Sequence, residues 1–516
     1  MKKSIFMRLF PRLSSVLIAG AVLVGSVSCL EKYPRQAIPE DEAMQTFNDA
    51  EQHLVGIYAS LKSAYLFSGY LTLLPDIQTD LVYAAEGNSN TFGDFWQWKV
   101  RSTSSEVEGV YGSLYSVIGD CNFFLDRIDD VKKNIDDDDR LSDLDEYTGE
   151  VYAIRALCYS KLIECFCKAY DPATARDELG VRLRTHYFEP EPVRRASLFD
   201  SYKLVLDDLA KAEELLPDDA SENEANAVFF TLAAAQALHA RVALYMQDWQ
   251  TAIDYSSKLI DDWSFSLASA RSTALSDGTT YFDYMWFYDA GPEVIWRIGF
   301  TTTSYGGALG TVFLNLTRDY TYFYPDYVPA QWVLDAYDNY DLRKAVYFAD
   351  SSNGIVIGYG NGMDWPVLVK YYGNRNFIQS NMFHISMPKP LRLAEQYLIR
   401  AEAYCRAATP DFTAAAKDLT VLRQSRFQSG GAIGLTQDNW QQQIADERMR
   451  ELYMEGFRLH DLKRWGMGFE RTPQSYAQAE GSSLKVAPGD PLFVWPIPQH
   501  EIEAPGSEIQ PNESNK

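Results

Sequence analysis

Residues Ile444–Trp465, IADERMRELYMEGFRLHDLKRW, constrain the fold more than any other segment. Read as a helix, they place Glu447, Glu451 and Glu455 four residues apart, so three carboxylates share one stripe. Like charges at that spacing repel unless cations lie between them. Arg448, Arg450 and Arg458 are close in sequence, and Arg392 and Arg400 sit on an earlier helical segment. Ile444, Leu452, Phe457 and Leu462 supply apolar packing positions. The spacing therefore predicts a charge network at a joint between helices, with a structural role, set against the plainer reading of a solvated surface helix.

Helical periodicity dominates elsewhere too, and the fold class expected is mainly α. Helices are predicted over 42–65, 106–128, 146–169 and 198–216. Asp136–Asp139 is read as a charged turn between two of them, without the glycine-punctuated spacing of a calcium loop. Between residues 226 and 261, alanines at helical spacing from Ala233 to Ala243 precede a turn at Asp248-Trp249, then Ala252-Ile253. This predicts a tetratricopeptide-type helix pair, and a looser one spans 391–428. Such pairs bury their faces by stacking into a superhelical scaffold. The scaffold is expected over about 40–260 and 391–465, interrupted by a loop-rich insert over about 264–390.

The motif ER-x-x-EL-x-x-EG-x-R-x-x-DLKRWG resembles the C-terminal signature of the SusD/RagB family. The likeness continues in PLRLAEQYL (390–398), in Arg400–Ala403 and in WPIPQHEI (495–502), with weaker likeness over 30–65 and 225–260. The resemblance implies a lipid-anchored nutrient-binding protein of the outer membrane, exposed at the cell surface. It implies capture of oligo- or polysaccharide for delivery to a separate TonB-dependent transporter of the SusC type, docked on the helical-repeat side. A peptide binder of the same fold and a glycan-degrading enzyme are the alternatives.

The N-terminus fits that compartment. Lys2, Lys3, Arg8 and Arg12 precede an apolar run over 16–25, of signal-peptide length and shorter than the roughly 20 residues of a spanning helix. Ser26-Val27-Ser28 then leads to Cys29, the expected site of acylation, with residues 1–28 as a lipoprotein signal peptide and 29–516 as the binding domain. Loss of residues 1–28 takes away four cations and shifts the net charge from −24 to about −28. That charge excludes a phosphate-backbone partner, which needs Lys and Arg to displace counterions. Contact with the membrane is expected through the lipid alone. Cys121, Cys158, Cys165, Cys167 and Cys405 are an odd remainder read as buried thiols.

Aromatics next to Asn and Asp suit carbohydrate, whose C–H faces pack on rings while amides and carboxylates take the hydroxyls. The insert is rich in such rings: Trp286 in the run 281–289, and Tyr322 and Tyr324 in the cluster 320–327. A second group near the N-terminus comprises Asp80, Tyr83, Asn88, Asn90, Trp96 and Trp98; in an extended segment Trp96 and Trp98 would project to one side. These nine residues are the expected ligand contacts, whereas Trp249, Trp296, Trp465 and Trp495 are expected in the core. The six histidines form no metal pair at helical spacing, and no nucleophile elbow or phosphate-binding glycine loop occurs. No catalytic residue, metal or cofactor is expected.

Overall fold

A computed structural model describes residues 43–188, 193–316, 321–358, 363–475 and 479–515. The expected signal peptide and Cys29 lie outside them. Eleven longer helices carry the architecture: α1 (Phe47–Ser60), α2 (Tyr70–Ile77), α3 (Ser105–Lys132), α4 (Asp138–Phe166), α5 (Leu198–Leu215), α6 (Leu232–Tyr245), α7 (Trp249–Ser257), α8 (Leu393–Arg406), α9 (Phe412–Arg426), α10 (Trp440–Glu451) and α11 (Arg458–Trp465). Strands are short and pair antiparallel in twos: β1 (Val82–Ala84) with β3 (Tyr327–Pro329), β2 (Val294–Trp296) with β6 (Leu391–Arg392), β4 (Phe348–Ala349) with β5 (Val367–Leu368), and β7 (Phe469–Glu470) with β8 (Lys485–Val486).

The acidic run at 136–139 is not a free turn. Asp137 caps α4, its carboxylate accepting from the Asp139 and Arg140 amides, so the helix begins eight residues before the predicted start. Thr231, Asp248 and Asp411 cap α6, α7 and α9 in the same way. Helix α6 is buried on nearly every side, and its alanines let neighbours approach closely. Along the scaffold, α3 packs on α4, α4 on α5, α5 on α6, α6 on α7, α7 on α8, and α8 on α9 and α10. The two helix pairs, about 130 residues apart in sequence, are thus neighbours in space. The chain leaves the stack after α7, builds the insert, and returns to the same place.

Strand pairing closes that excursion. β2, inside the insert, pairs with β6, which runs directly into α8. This register brings Glu293 beside Arg392, at the edge of the predicted charge network.

The stripe itself is broken. α10 stops at Glu451, and Met454 and Gly456 both adopt positive φ before α11 begins. A Cβ on Gly456 would meet the Leu71 carbonyl at 2.3 Å, so the turn needs glycine. Glu455 therefore lies on the turn rather than on the helix of Glu447 and Glu451. All three carboxylates nevertheless meet cations in the interior. Glu447 binds Arg343 and Arg450 at 2.7 Å and Arg423 at 3.0 Å. Glu451 binds Arg392 at 2.6 Å, and Arg343 and Arg426 at 2.9 Å. Glu455 binds Arg392 at 2.8 Å and Lys370 at 2.7 Å, while Glu293 bridges Arg392 and Arg426. Of the arginines expected there, Arg392 and Arg450 take part. Arg448 instead pairs with Asp461, Arg458 with Asp80, and Arg400 with Asp418 and Asp261.

The five described cysteines are free and buried, as expected. Trp296 and Trp495 are core residues, whereas Trp249 and Trp465 are half-buried. Among the described residues, no helix is long and apolar enough to cross a membrane, and no cluster of His, Cys, Asp and Glu has the makings of a metal site.

Candidate functional site

The β1–β3 pair builds the candidate site. Its register, Ala84 opposite Tyr327, continues as the Ala85 amide donates to the Asp326 carbonyl. The segment leaving β1 and the segment entering β3 therefore emerge from one end of the ladder. Asn88 and Asn90 lie on the first, Tyr322 and Tyr324 on the second, some 230 residues away in sequence. Asp326 stitches the two together: one carboxylate oxygen accepts both the amide and the hydroxyl of Ser89 at 2.7 Å. Asn88 shapes its own loop, its amide donating to the Ala85 carbonyl and its oxygen accepting from the Asn90 amide. Tyr322 is 42% exposed, and the Tyr324 ring lies over Gly358, where a Cβ would intrude on it.

An aromatic ladder extends the face. Tyr65, Tyr70 and Phe92 meet edge to face, with centroids 5.1 and 5.2 Å apart, and Phe92 directly follows the Asn88–Thr91 loop. Tyr65, at the outer end, is 42% exposed. The loop over 301–307 lies against the same segment: Lys62 donates to the Ser304 hydroxyl, and the Gly307 amide donates to the Ser68 hydroxyl. That loop presents Tyr305, 49% exposed. Burial, then the Glu106 carboxylate, pushes the Tyr70 phenol above its usual range, so it stays neutral at physiological pH. Exposed phenols beside carboxamides and a hydroxyl can stack on one face of a ring-shaped polar ligand and bond its edges.

Five of the nine expected contacts are placed elsewhere. Trp96 is buried, its indole N–H bonded to the Val82 carbonyl and its ring under the Arg471 guanidinium. Residues 93–96 form a helical turn and Trp98 has a φ of +59°, so the extended geometry that would align the two tryptophans is absent. Trp98 turns to the C-terminal segment, donating to Asp490 and packing on Phe469 and Phe493. Tyr83 is buried and exchanges two hydrogen bonds with the Thr472 backbone. Asp80 is consumed by a two-pronged pairing with Arg458 at 3.0 and 2.9 Å. Trp286 is buried with the Lys370 ammonium 3.9 Å and the Lys389 ammonium 4.9 Å from its ring centroid, a cation–π hub inside the protein. Tyr65, Tyr305, Ser89 and Asp326 were not singled out from sequence. Tyr65 looked like the end of a helix, and Tyr305 sits alone in a Gly/Thr/Ser stretch.

Two family models match the chain, one described as the SusD family over residues 297–512, the other as "starch-binding associating with outer membrane" over residues 34–244. The chain belongs to the SusD family. That description associates the family with starch binding and with the outer membrane. SusD-like protein P25 of Formosa agariphila is 23% identical, the alignment covering 88% of this chain and 90% of the relative. A SusD superfamily protein of Bacteroides thetaiotaomicron superposes with a TM-score of 0.75 at 23% identity, over 90% of this chain and 99% of the other. A putative sugar binding protein of Bacteroides vulgatus gives 0.73 at 22% identity, over 92% and 100%. These solved structures establish the SusD fold over about nine-tenths of the chain.

Proposed function

We propose that this SusD-family protein is a glycan-capturing lipoprotein of the cell surface, held in the outer membrane by acylated Cys29. Its ligand is an oligo- or polysaccharide, seated on the face that carries Asn88, Asn90, Tyr322 and Tyr324, with Tyr65 and Tyr305 at the rim. It passes that ligand to a SusC-like TonB-dependent transporter docked on the stacked, tetratricopeptide-type helix pairs. It binds and does not cleave. The observation that carries the reading is the convergence of two sequence-distant loops, one rich in amides and hydroxyls and one carrying the exposed Tyr322 and the half-buried Tyr324, on one end of the β1–β3 ladder. Loss of one stacking ring should weaken a complex by roughly ten- to hundredfold, from about 1–3 kcal/mol of burial and aromatic contact.

The test is retention in affinity gels cast with purified polysaccharides. One glycan should retard the wild-type chain, and Tyr322→Ala combined with Asn88→Ala should abolish the retardation while the circular dichroism spectrum is unchanged. A double variant retained like wild type would place the site elsewhere. Retention by no glycan, with binding to a peptide library instead, would favour a peptide binder. New reducing ends after long incubation would make it an enzyme.

A further inference from the structure

A second concave surface lies on the helical side, apart from the glycan face. It is a groove of about 400 Å³ between α1, α4 and the segment that joins α5 to α6. Two apolar side chains stand out from its walls: Val55 is 52% exposed and Phe229 48%. Glu51, Glu146 and Glu222 line it with them, and no described lysine or arginine does. The carboxylates are crowded: burial, then the charges of Glu222 and Asp143, raises Glu146 above its usual range.

The exposed ring is held in place. Phe229 meets Tyr58 edge to face at 5.0 Å, and the neighbouring Phe230 amide donates to the Tyr58 hydroxyl at 2.6 Å. That hydroxyl in turn donates to Glu150 at the floor of the groove. Upstream, the Asn226 amide donates to the Val294 carbonyl and the Arg297 amide to the Ala227 carbonyl, so the chain just before Phe229 is tied to the insert. A ring presented on a fixed backbone loses little entropy when a partner covers it.

We propose that this groove docks a partner protein through an apolar segment flanked by lysine or arginine. Charge complementarity selects that occupant: three carboxylates without a counter-cation among the described residues ask for positive charge, and the paired Val55 and Phe229 ask for an apolar side chain between the charges. The volume accommodates two or three side chains, and a simple cation would leave the ring and the valine uncovered.

The probe is the fluorescein-labelled peptide Gly-Leu-Lys-Phe-Lys-Leu-Gly, with a twin carrying Glu for both Lys, titrated against the full chain by fluorescence anisotropy. Glu146→Lys with Glu222→Lys, and separately Phe229→Ser, should each weaken the lysine peptide by about tenfold or more, the loss of one well-packed side chain. The charge-reversed protein should instead gain affinity for the glutamate twin. Asp136→Lys with Asp139→Lys, outside the groove, should leave binding unchanged, and melting curves confirm that each variant is folded. Equal loss in that control, or no loss in the groove variants, overturns the proposal. So does spermine competing as well as the peptide, which would make this a small-cation site. So does a wild-type dimer in sedimentation that Phe229→Ser disperses, which would make the occupant a second copy. Glycan retention reads independently of all of these outcomes.

Discussion

Removing the Glu451 carboxylate strands more buried positive charge than any other single substitution in the network. Its two oxygens accept from Arg392, Arg426 and Arg343, and both it and these partners are fully or almost fully buried. Burial alone would push this carboxyl up; the guanidiniums of Arg426, Arg392 and Arg343 outweigh it and hold it far below the usual carboxylate range. In Glu451→Ala, Arg392 and Arg426 keep Glu293, and Arg343 keeps Asp341 and Glu447, but each loses compensation in a low-dielectric interior. Breaking a buried pair typically costs about 3–5 kcal/mol. A chain of this length unfolds with an entropy of about 1 kcal/mol per kelvin if it melts as one unit, so the melting temperature should fall by about 3–5 °C. Glu451→Gln, which keeps the shape and an acceptor oxygen, should fall between. The internal control is Glu470→Ala, whose exposed pairing with Lys485 is worth about 0–1 kcal/mol. Differential scanning calorimetry of the three variants decides it. A Glu451→Ala curve that overlays that of Glu470→Ala would refute the reasoning, and would mean that water or relaxation solvates the arginines.

Four further outcomes follow from the structure. Glu447 and Glu402 are held at about 2, below their unfolded values, so their stabilisation is complete above the normal carboxylate range and is lost as the pH falls toward 2; acid titration of the melting temperature should show it. Glu150 and Asp76 have the opposite sign: burial raises them to about 8 and about 7, so their contribution is complete at low pH and is lost as the pH rises through those values. Glu150→Gln should therefore gain stability over wild type at pH 9 and converge with it at pH 5. Trp96→Ala should cost about 3–5 kcal/mol in denaturant titrations while leaving glycan retention of the folded fraction intact, as expected for a core ring. Cys29→Ala should abolish incorporation of a fatty-acid probe and release the protein from the membrane fraction.

The scaffold was legible because local rules wrote it. Alanines at helical spacing and the turn at Asp248-Trp249 marked α6 and α7, and the carboxylate spacing marked a charge-paired joint between helices. The cations that complete the joint were hidden, because Arg343, Lys370, Arg423 and Arg426 come from segments that only the strand pairing and the α9 packing bring near. The break at Gly456 was hidden for a similar reason: its cause is the carbonyl of Leu71, far away in sequence. At the candidate site, the structure buries several of the rings that residue type alone would offer to a ligand. Asn88, Asn90, Tyr322 and Tyr324 lie on the face, but Trp96 and Trp286, the largest apolar rings, are drawn into the interior. A tryptophan has more to gain from the core than any tyrosine, whose hydroxyl tolerates water. In this chain the exposed rings of the candidate face are tyrosines.

The misassigned residues explain how the face is held. Asp76 accepts the amides of Gly456 and Arg458, and Asp80 grips the Arg458 side chain, so α2 and the strand that follows it are fastened to the turn between α10 and α11. From the insert, Lys370 donates to the Tyr453 carbonyl and to Glu455, and Tyr371 donates to the Met454 carbonyl, fastening the other side of the same turn. The segment before β1, from which the Asn88 loop grows, and the residues just after β5 therefore converge on one buried, charge-paired turn. Replacing such a network with apolar residues of equal volume would often cost little stability. What it would lose is directionality, since guanidinium forks fix both distance and angle whereas apolar contacts slide. The network's chief effect is then on register: it fixes the segment before β1 against the turn, so that a ligand on the proposed face would meet loops already ordered and pay less to bind.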